Sequence, residues 1–386
     1  MKIGIQTAGV CDIKSIKTDV AMLVKIGMET IELELDMEHL SREYYQLLKD
    51  ALEIQGITVA QIQVPRRDFL LKDQEKLLQE MEKCMDLCEW LGCPYLIVHP
   101  FSIALNYENR KTGVEQEEKQ NIEFFQKLIV GAKKHHIMIC LTNELTNING
   151  HWCMGCCSVA QEAKRYIDYL NEVAGEECFG FCVHMGRMIL LSAEVKEMLG
   201  ILGTRVKCVQ LCENDGIRDM TMAPFTSYTI AGQKVWDLFI RGLQEIGYEG
   251  SLIATVRGFV GGIPISLKWD TIQWLQRVLS HIREKVNFVH ALQLDKKIYL
   301  FGSGNGFDNF MKYYGKVCEP VAILDNSKSK WGTRKNGLEI CSPQILLQED
   351  KEQIQIVICN IFFLEIEEQL REMGIDNVCR YEEILA

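Results

Sequence analysis

The sequence VKCVQLCENDGIRDMTMAP, residues 206–224, decides the fold that we assign to this chain. It begins with an apolar run, 206–211, which has the length of a buried strand. An acidic loop, 213–219, follows the run and contains Gly216. In parallel α/β proteins, functional groups lie where a buried strand opens into a polar loop. The stretch therefore predicts a parallel α/β fold with a site at the carboxyl end of this strand.

A short apolar run followed by a longer amphipathic segment recurs through residues 1–285. Eight runs have strand length, at 2–6, 30–35, 57–63, 95–99, 137–141, 179–184, 206–211 and 251–256. Between them, apolar residues recur at helical spacing, for example in 75–91, 116–135, 159–173, 234–246 and 271–285. Eight such repeats predict an α/β protein whose first domain is a (β/α)8 TIM barrel. A doubly wound open sheet is the alternative that the pattern leaves open.

Composition and charge limit the classes of protein to consider. A chain of 386 residues, 47% hydrophobic and 25% charged, is typical of a folded protein with two domains. The net charge of −11 argues against nucleic-acid binding, which needs clustered Lys and Arg. No apolar run reaches the roughly 18 residues that span a bilayer, and the first residues show no signal-peptide pattern. We therefore expect a cytoplasmic protein with no membrane partner.

The sixteen cysteines lie mostly within apolar segments, which is typical of reduced, buried thiols, and we expect no disulfides. Cys153, Cys156 and Cys157 form a CxxCC group after the fifth predicted strand. A zinc or redox site there would need two further ligands nearby. The simpler interpretation is a helix N-terminus that Ser158 caps.

A second unit is predicted for residues 296–386, after a linker at 286–295. A strand at 297–301 runs into the sequence GSGNGF, which opens a helical segment. Further strands are predicted at 321–324, ending before Asp325, and at 355–359, with a helix at 364–373. This order predicts a small Rossmann-like βαβ domain. It resembles the nucleotide-binding-like domains appended to bacterial glycosyltransferases, methyltransferases and polysaccharide-assembly proteins.

The first domain resembles the xylose isomerase-like TIM barrels, which include sugar isomerases, sugar-phosphate epimerases and endonuclease IV. Their seventh strand and its loop follow the pattern H-x-H-D-N-D-G-x-x-D-x-H. This chain keeps Asn214, Asp215, Gly216 and Asp219. The histidine positions carry Gln210, Cys212 and Thr221, and Glu213 replaces an aspartate. The resemblance covers residues 1–285 and implies a small-molecule carbohydrate substrate.

The other strand ends extend the resemblance. Val98-His99-Pro100 matches the family's V-H-P, and Asn143 matches the Asn of L-E-N, with Thr142 in the glutamate position and Glu144 two residues beyond it. His184, Gly186 and Arg187 align with L-D-x-G-H. The resemblance implies that the substrate contacts are Glu32, Gln63, His99, Asn143, Gln210 and Asp219.

The resemblance also implies a divalent cation, but the ligand positions have changed. They carry Thr142, His184, Arg187, Gln210, Thr221 and Thr255. An arginine has no lone pair for a metal, and the two ligands left in register, His99 and Asp219, do not make a tight site. We therefore expect no metal in the family register. A rearranged site remains the alternative, formed by His99, Glu144, His184, Glu213 and Asp219.

In the second unit, GSGNGF follows a strand and opens a helix, where bare backbone can bind phosphate. Its glycines, with an acidic residue after the next strand, predict a nucleotide or nucleotide-sugar site at Gly302, Gly304, Gly306 and Asp325. A scaffold domain that keeps only the turn glycines is the alternative.

The function that these observations favour is a sugar or sugar-phosphate isomerase or epimerase that transfers a proton next to a carbonyl. Glu144, His184 or Glu213 would be the base, and Arg187 would replace the metal as electrostatic stabiliser. The alternative is a non-catalytic carbohydrate or nucleotide-sugar binding protein on a degenerate barrel. A homo-oligomer is compatible with either function.

Overall fold

The computed structural model describes residues 1–35, 42–65, 74–101, 110–226 and 230–382. The chain forms two compact units, Met1–Val286 and Asn287–Ala386. All sixteen cysteines are free thiols. Within the described ranges, we find no helix with the length and apolar character that a bilayer crossing requires.

Eight parallel strands of the first unit close into a barrel in the order β1-β10-β9-β8-β5-β4-β3-β2, which confirms the predicted (β/α)8 barrel. Its unit contains the strands β1 (Ile3–Gln6), β2 (Thr30–Glu34), β3 (Thr58–Gln63), β4 (Tyr95–Val98), β5 (Met138–Thr142), β6 (Leu145–Ile148), β7 (His151–Met154), β8 (Phe179–His184), β9 (Val206–Leu211) and β10 (Leu252–Ala254). Its helices are α1 (Ile16–Ile26), α2 (Arg42–Gln55), α3 (Gln74–Leu91), α4 (Arg110–Lys134), α5 (Ala160–Ala174), α6 (Met185–Leu190), α7 (Val195–Leu202), α8 (Ile230–Glu245), α9 (Arg257–Gly261) and α10 (Lys268–Val286).

Strand register brings polar residues of neighbouring strands side by side. Gln6 on β1 pairs with Glu32 on β2, and Glu32 pairs with Gln61 on β3. On the opposite side of the barrel, His184 on β8 pairs with Gln210 on β9. Side chains alternate along a strand, so residues in register face the same side of the sheet. The register thus gathers amide, carboxylate and imidazole groups inside the barrel.

A hairpin that the sequence analysis did not predict follows β5. Strands β6 and β7 pair antiparallel and are joined at Asn149 and Gly150, whose φ angles are 52° and 85°. Positive φ at both central residues suits the tight turn that an Asn-Gly pair favours. The Asn-Gly signal was therefore present in the sequence.

The second unit is a six-stranded sheet in the order β13-β14-β12-β11-β15-β16. The strands are β11 (Lys297–Phe301), β12 (Ala322–Leu324), β13 (Arg334–Lys335), β14 (Leu338–Cys341), β15 (Ile354–Ile358) and β16 (Val378–Arg380); the helices are α11 (Phe288–Ala291), α12 (Asn305–Tyr314) and α13 (Phe363–Glu372). Only the β13–β14 pair is antiparallel among the described pairs, so the sheet is mixed. The Rossmann-like assignment stays a prediction. Part of the predicted linker, 286–295, forms α11, and its Phe288 packs in the core of this unit.

Candidate functional site in the barrel

An apolar layer closes the barrel below its polar residues. Ile97, Cys140, Cys182 and Cys208 form a buried cluster from β4, β5, β8 and β9. Each of these residues precedes a polar position by two, and residues two apart on a strand face the same side. Those polar residues are His99, Thr142, His184 and Gln210. The polar side chains inside the barrel therefore lie above this apolar layer, at the carboxyl ends of the strands.

A carboxylate held by three amides occupies the first polar layer. The Oε1 atom of Glu32 accepts hydrogen bonds from Nε2 of Gln6, at 2.7 Å, and of Gln210, at 2.9 Å, while Gln61 donates to Oε2. Glu32 is fully buried. Burial raises the pKa of its carboxyl to about 7, although the three amide hydrogen bonds act in the opposite direction. We call Glu32, Gln6, Gln61, Gln63 and Gln210 the amide cage.

Gln63 connects the amide cage to His99. Its Oε1 accepts from Nε2 of Gln210, at 2.7 Å, and of Gln6, at 3.2 Å. Two donors on the oxygen fix the orientation of the Gln63 amide, so its Nε2 donates to Nε2 of His99, at 2.8 Å. This hydrogen bond requires a lone pair on Nε2 of His99 and therefore assigns its N–H to Nδ1.

His99, Glu144 and Arg187 form a buried chain across the barrel. Nδ1 of His99 lies 2.5 Å from Oε1 of Glu144, and Nη1 of Arg187 donates to the same oxygen at 2.6 Å. Nη1 of Arg187 also donates to the carbonyl of Asn143, at 3.0 Å. Nε of Arg187 is buried and has no hydrogen-bond partner among the described residues. A guanidinium thus supplies the positive charge beside Glu144.

His184 is held by Asn143 and ends β8. Its backbone N–H donates to Oδ1 of Asn143, at 2.8 Å, and its carbonyl accepts from Nδ2 of the same side chain, at 3.2 Å. Burial, and then the positive charge of Arg187, lowers the pKa of His184 well below its usual range, so the ring is neutral. Sγ of Cys212 lies 3.8 Å from its Nδ1, and burial raises the pKa of that thiol to about 11.

The two acidic residues predicted after β9 lie elsewhere. Glu213 turns towards α8, where its Oε2 accepts from Nε1 of Trp236 at 3.0 Å. Asp219 lies in an exposed loop that Asn214 orders by donating to the carbonyls of Arg218 and Met220. The predicted roles of Glu213 as base and Asp219 as substrate contact are not supported by these positions and stay predictions.

The residues present do not fit the family's divalent cation. Arg187 binds the carboxylate of Glu144, and a guanidinium cannot ligate a metal. Within the described part of the chain, the one set of three candidate ligands that comes within 4.8 Å is Asp86, Glu89 and His135, on α3 and just after α4. The five residues named for a rearranged site do not form such a set.

Several residues around the site differ from the sequence-based predictions. The sequence analysis missed Gln6 and Gln61, although Gln61 lies two residues before Gln63 and so shares its face of β3. The prediction that Ser158 caps a helix was wrong, because Val159 is the N-cap of α5 and the Ser158 hydroxyl donates to the carbonyl of Glu144. Cys156 and Cys157 are buried thiols with their sulfurs 3.8 Å apart.

In the second unit, two of the predicted nucleotide-binding residues pack closely against the backbone and two line a cleft, and Gly302 does both. A Cβ atom on Gly302 or Gly306 would lie 2.9 or 2.6 Å from the carbonyl oxygen of Cys359, so both glycines allow a close backbone approach. Gly302 and Asp325 also line a cleft of about 260 Å³. Burial raises the pKa of Asp325, but hydrogen bonds from Lys330 and Ser303 outweigh it and the net shift is downward.

Residues 20–282 match the model of the xylose isomerase-like TIM barrel family, and the chain belongs to this family. The predicted resemblance of the first domain is thereby confirmed. Residues 294–378 match the model described as C2185-like, N-terminal. A search of curated proteins gave no match.

Solved structures with a similar barrel include several sugar epimerases. The 3-keto-D-glucoside 4-epimerase from E. coli is 14% identical over 72% of this chain and 99% of that chain, with a TM-score of 0.54. A D-tagatose 3-epimerase-like protein is 16% identical over 75% and 99%, with a TM-score of 0.57. A D-psicose 3-epimerase crystallised with D-fructose is 12% identical over 73% and 99%, with a TM-score of 0.55. At these identities the similarity shows the fold alone.

Proposed function

We propose that the barrel is a carbohydrate isomerase or epimerase that moves a proton next to a carbonyl without the family's metal. The observation that carries the proposal is the buried chain of His99, Glu144 and Arg187, which joins an imidazole, a carboxylate and a guanidinium through one oxygen. The names of the similar solved structures, which are sugar epimerases, agree with this reaction class.

In this proposal His99 is the base. Its Nδ1–H is held by Glu144, so the lone pair lies on Nε2, where Gln63 donates to it in the absence of substrate. A substrate C–H next to a carbonyl would take the place of the Gln63 amide. Glu144 would then stabilise the imidazolium that forms, as a carboxylate does for a catalytic histidine. Glu144 itself is a poor base, because its Oε1 already accepts from both His99 and Arg187.

Arg187 is the electrostatic stabiliser in the proposed reaction. Removing the proton places negative charge on the carbonyl oxygen, and a fixed donor in a buried site stabilises that charge strongly. The Nε–H of Arg187 is buried without a partner among the described residues, while Nη1 is anchored on Glu144. Protonation of the same carbon on its opposite face, by a second donor, would epimerise it. Returning the His99 proton to the neighbouring carbon, while the hydroxyl proton there moves to the former carbonyl oxygen, would isomerise the sugar.

Hydrogen exchange tests this proposal without knowledge of the natural sugar. Ketohexoses and 3-keto-glucosides are incubated with the protein in D2O, and deuterium at the carbon next to the carbonyl is measured by NMR. We expect incorporation with the wild type, and at least about a hundredfold slower incorporation with His99→Gln, because general base catalysis contributes about 10²–10⁴-fold. His151→Gln, on the exposed hairpin strand β7, is the matched control and should match the wild type.

An unused acceptor in the amide cage favours the second candidate, a non-catalytic carbohydrate binding protein. Gln6 and Gln210 donate to Glu32 and Gln63, but the buried Oε1 of Gln210 has no hydrogen-bond partner among the described residues and could accept from a sugar hydroxyl. Saturation-transfer NMR with the same sugars separates the two functions. Binding without deuterium incorporation in the wild type would reject the enzyme and leave the binding protein.

A further inference from the structure

The cleft of the second unit lies where three parallel strands end. Gly302 follows β11, Asp325 follows β12, and Asn360 lies two residues beyond β15. Phe362, Glu365 and Gln369 close the cleft from the start of α13. In open α/β sheets, the crevice at the carboxyl ends of the strands is where ligands bind. The cleft therefore lies where folds of this kind bind ligands, and its lining indicates which ligand would fit.

The lining suits a hydroxylated, planar molecule of modest size. Asp325 and Glu365 offer carboxylates, and Asn360 and Gln369 offer amides, while none of the described residues that line the cleft is cationic. Phe362 is 59% exposed and presents an aromatic face. A volume of about 260 Å³ lies below the roughly 300–1,000 Å³ of most drug-sized pockets. A base and its ribose match this size and chemistry, and a dinucleotide does not.

Asp325 is prepared to accept a further hydrogen bond. It is 9% exposed, and its Oδ2 accepts from the Ser303 hydroxyl, at 2.5 Å, and from Lys330, at 2.8 Å. Its Oδ1 accepts from the backbone N–H of Ser327, at 2.9 Å. A carboxylate oxygen has two lone pairs, so Oδ1 keeps one for a ribose hydroxyl. An acidic residue after the second strand plays this part in dinucleotide-binding folds.

Two lysines lie beside the loop that follows β11. Nζ of Lys330 lies 3.0 Å from Oγ of Ser303, and Nζ of Lys335 lies 2.8 Å from the carbonyl of Ser303. The next residue, Gly304, has nothing within 4 Å of the place a Cβ would occupy, and it is the N-cap of α12. An anionic group attached to a ribose in the cleft would meet this open backbone and the two lysines.

We propose that the second unit binds a mononucleotide, with the base against Phe362, the ribose on Asp325, and the phosphate beside Gly304, Lys330 and Lys335. The site is independent of the reaction proposed for the barrel. Of the four residues predicted for nucleotide binding, Gly302 and Asp325 line the cleft and Gly304 lies at the proposed phosphate position, whereas Gly306 packs against the Cys359 carbonyl.

Isothermal titration of the full-length protein with UMP, CMP, AMP and GMP tests the site, with the matching nucleosides and inorganic phosphate as separate titrants. We expect one nucleotide to bind with one site per chain, and its nucleoside to bind more weakly. Phe362→Ala should weaken binding at least about fivefold, because stacking of a base on an aromatic ring is worth about 1–3 kcal/mol. Asp325→Asn should weaken it as well, with folding checked by the melting temperature.

Leu364→Ala is the matched control, since Leu364 is 63% exposed near the start of α13 but does not line the cleft. Its affinity should equal that of the wild type. No binding of any mononucleotide at millimolar concentration would overturn the proposal, and so would unchanged affinity in Phe362→Ala. Inorganic phosphate that binds as tightly as the nucleotides would also overturn it, because an adventitious ion only would then occupy the lysines.

Discussion

The barrel and the second unit place polar groups at the carboxyl ends of parallel strands in opposite ways. In the barrel, Glu144 and Arg187 are buried and bonded to each other, so the charge of the site is balanced within the protein. In the cleft, Phe362 and Glu365 are exposed around open space. A buried site with balanced charge suits bond rearrangement, because fixed charges act strongly there. An open, partly apolar cleft suits binding.

Removal of the buried guanidinium of Arg187 should give the largest loss of stability. Arg187→Met leaves Glu144 buried without its guanidinium, and we expect the free energy of unfolding to fall by about 3–5 kcal/mol. Urea denaturation followed by circular dichroism measures it. Arg218→Met removes the ion pair with Asp215 on the surface, where the arginine side chain is 74% exposed, and should cost less than about 1 kcal/mol. Equal losses of unfolding free energy in the two variants would show that Arg187 does not neutralise a buried charge on Glu144.

The amide cage should make barrel stability fall as pH rises. The folded pKa of Glu32, about 7, lies above the ordinary value of 4.5 for a glutamate, so proton binding stabilises the fold. That contribution is complete below pH 4.5 and is lost as pH rises through about 7, by up to about 3 kcal/mol at 1.36 kcal/mol per unit.

Glu32→Gln should remove this decline, measured as the free energy of unfolding between pH 4.5 and 8. Glu53→Gln, at an exposed position of α2, should keep it. A wild-type decline that survives in Glu32→Gln would assign the pH dependence to other groups.

The glycines of the second unit should separate packing from binding. Gly306→Ala places a Cβ 2.6 Å from the Cys359 carbonyl, and we expect a loss of about 1–3 kcal/mol in the free energy of unfolding. Gly304→Ala meets no atom within 4 Å and should change stability by less than about 0.5 kcal/mol. Thermal denaturation of both variants measures the difference. A destabilised Gly304→Ala would contradict the open backbone on which the phosphate position depends.

The last change, Gln63→Glu, is measured on one ring and sharpens the assignment of His99. A carboxylate in place of the amide would accept a proton from Nε2, so the His99 ring should become an imidazolium held between two carboxylates. The ¹⁵N shifts of the ring, read by two-dimensional NMR, should change from those of the Nδ1–H tautomer to those of the cation. Gln46→Glu, on the exposed face of α2, is the control. Unchanged His99 shifts would reject the tautomer that we assign.

Much of the fold was predictable because its signal is local. The eight apolar runs and their spacing fixed the barrel, and an apolar run at 297–301 marked the second unit. The pairing inside the barrel was not predictable, because it joins residues such as Gln210 and Glu32, which lie 178 positions apart. The sequence indicated Glu144, His99 and Arg187 as site residues. It could not show that His99 and Arg187 both contact the same oxygen of Glu144.

The position of Glu213 has a local cause that the sequence contained. Gln210 and Cys212 face the inside of the barrel, so alternation along the strand directs Glu213 outwards, towards α8. The hairpin after β5 was missed because its strands have only four residues each, too few to show a clear period.

The base of that hairpin closes on a single residue. The backbone N–H of Glu144 donates to the carbonyl of Cys156, and its carbonyl accepts from Gly155 and from the Ser158 hydroxyl. The two ends of the β6–β7 hairpin are therefore hydrogen-bonded to each other at Glu144, and the turn of the hairpin lies beyond these bonds. Insertions, deletions or replacements in the hairpin can therefore be tolerated, because the bonds at its base keep the Glu144 carboxylate in position.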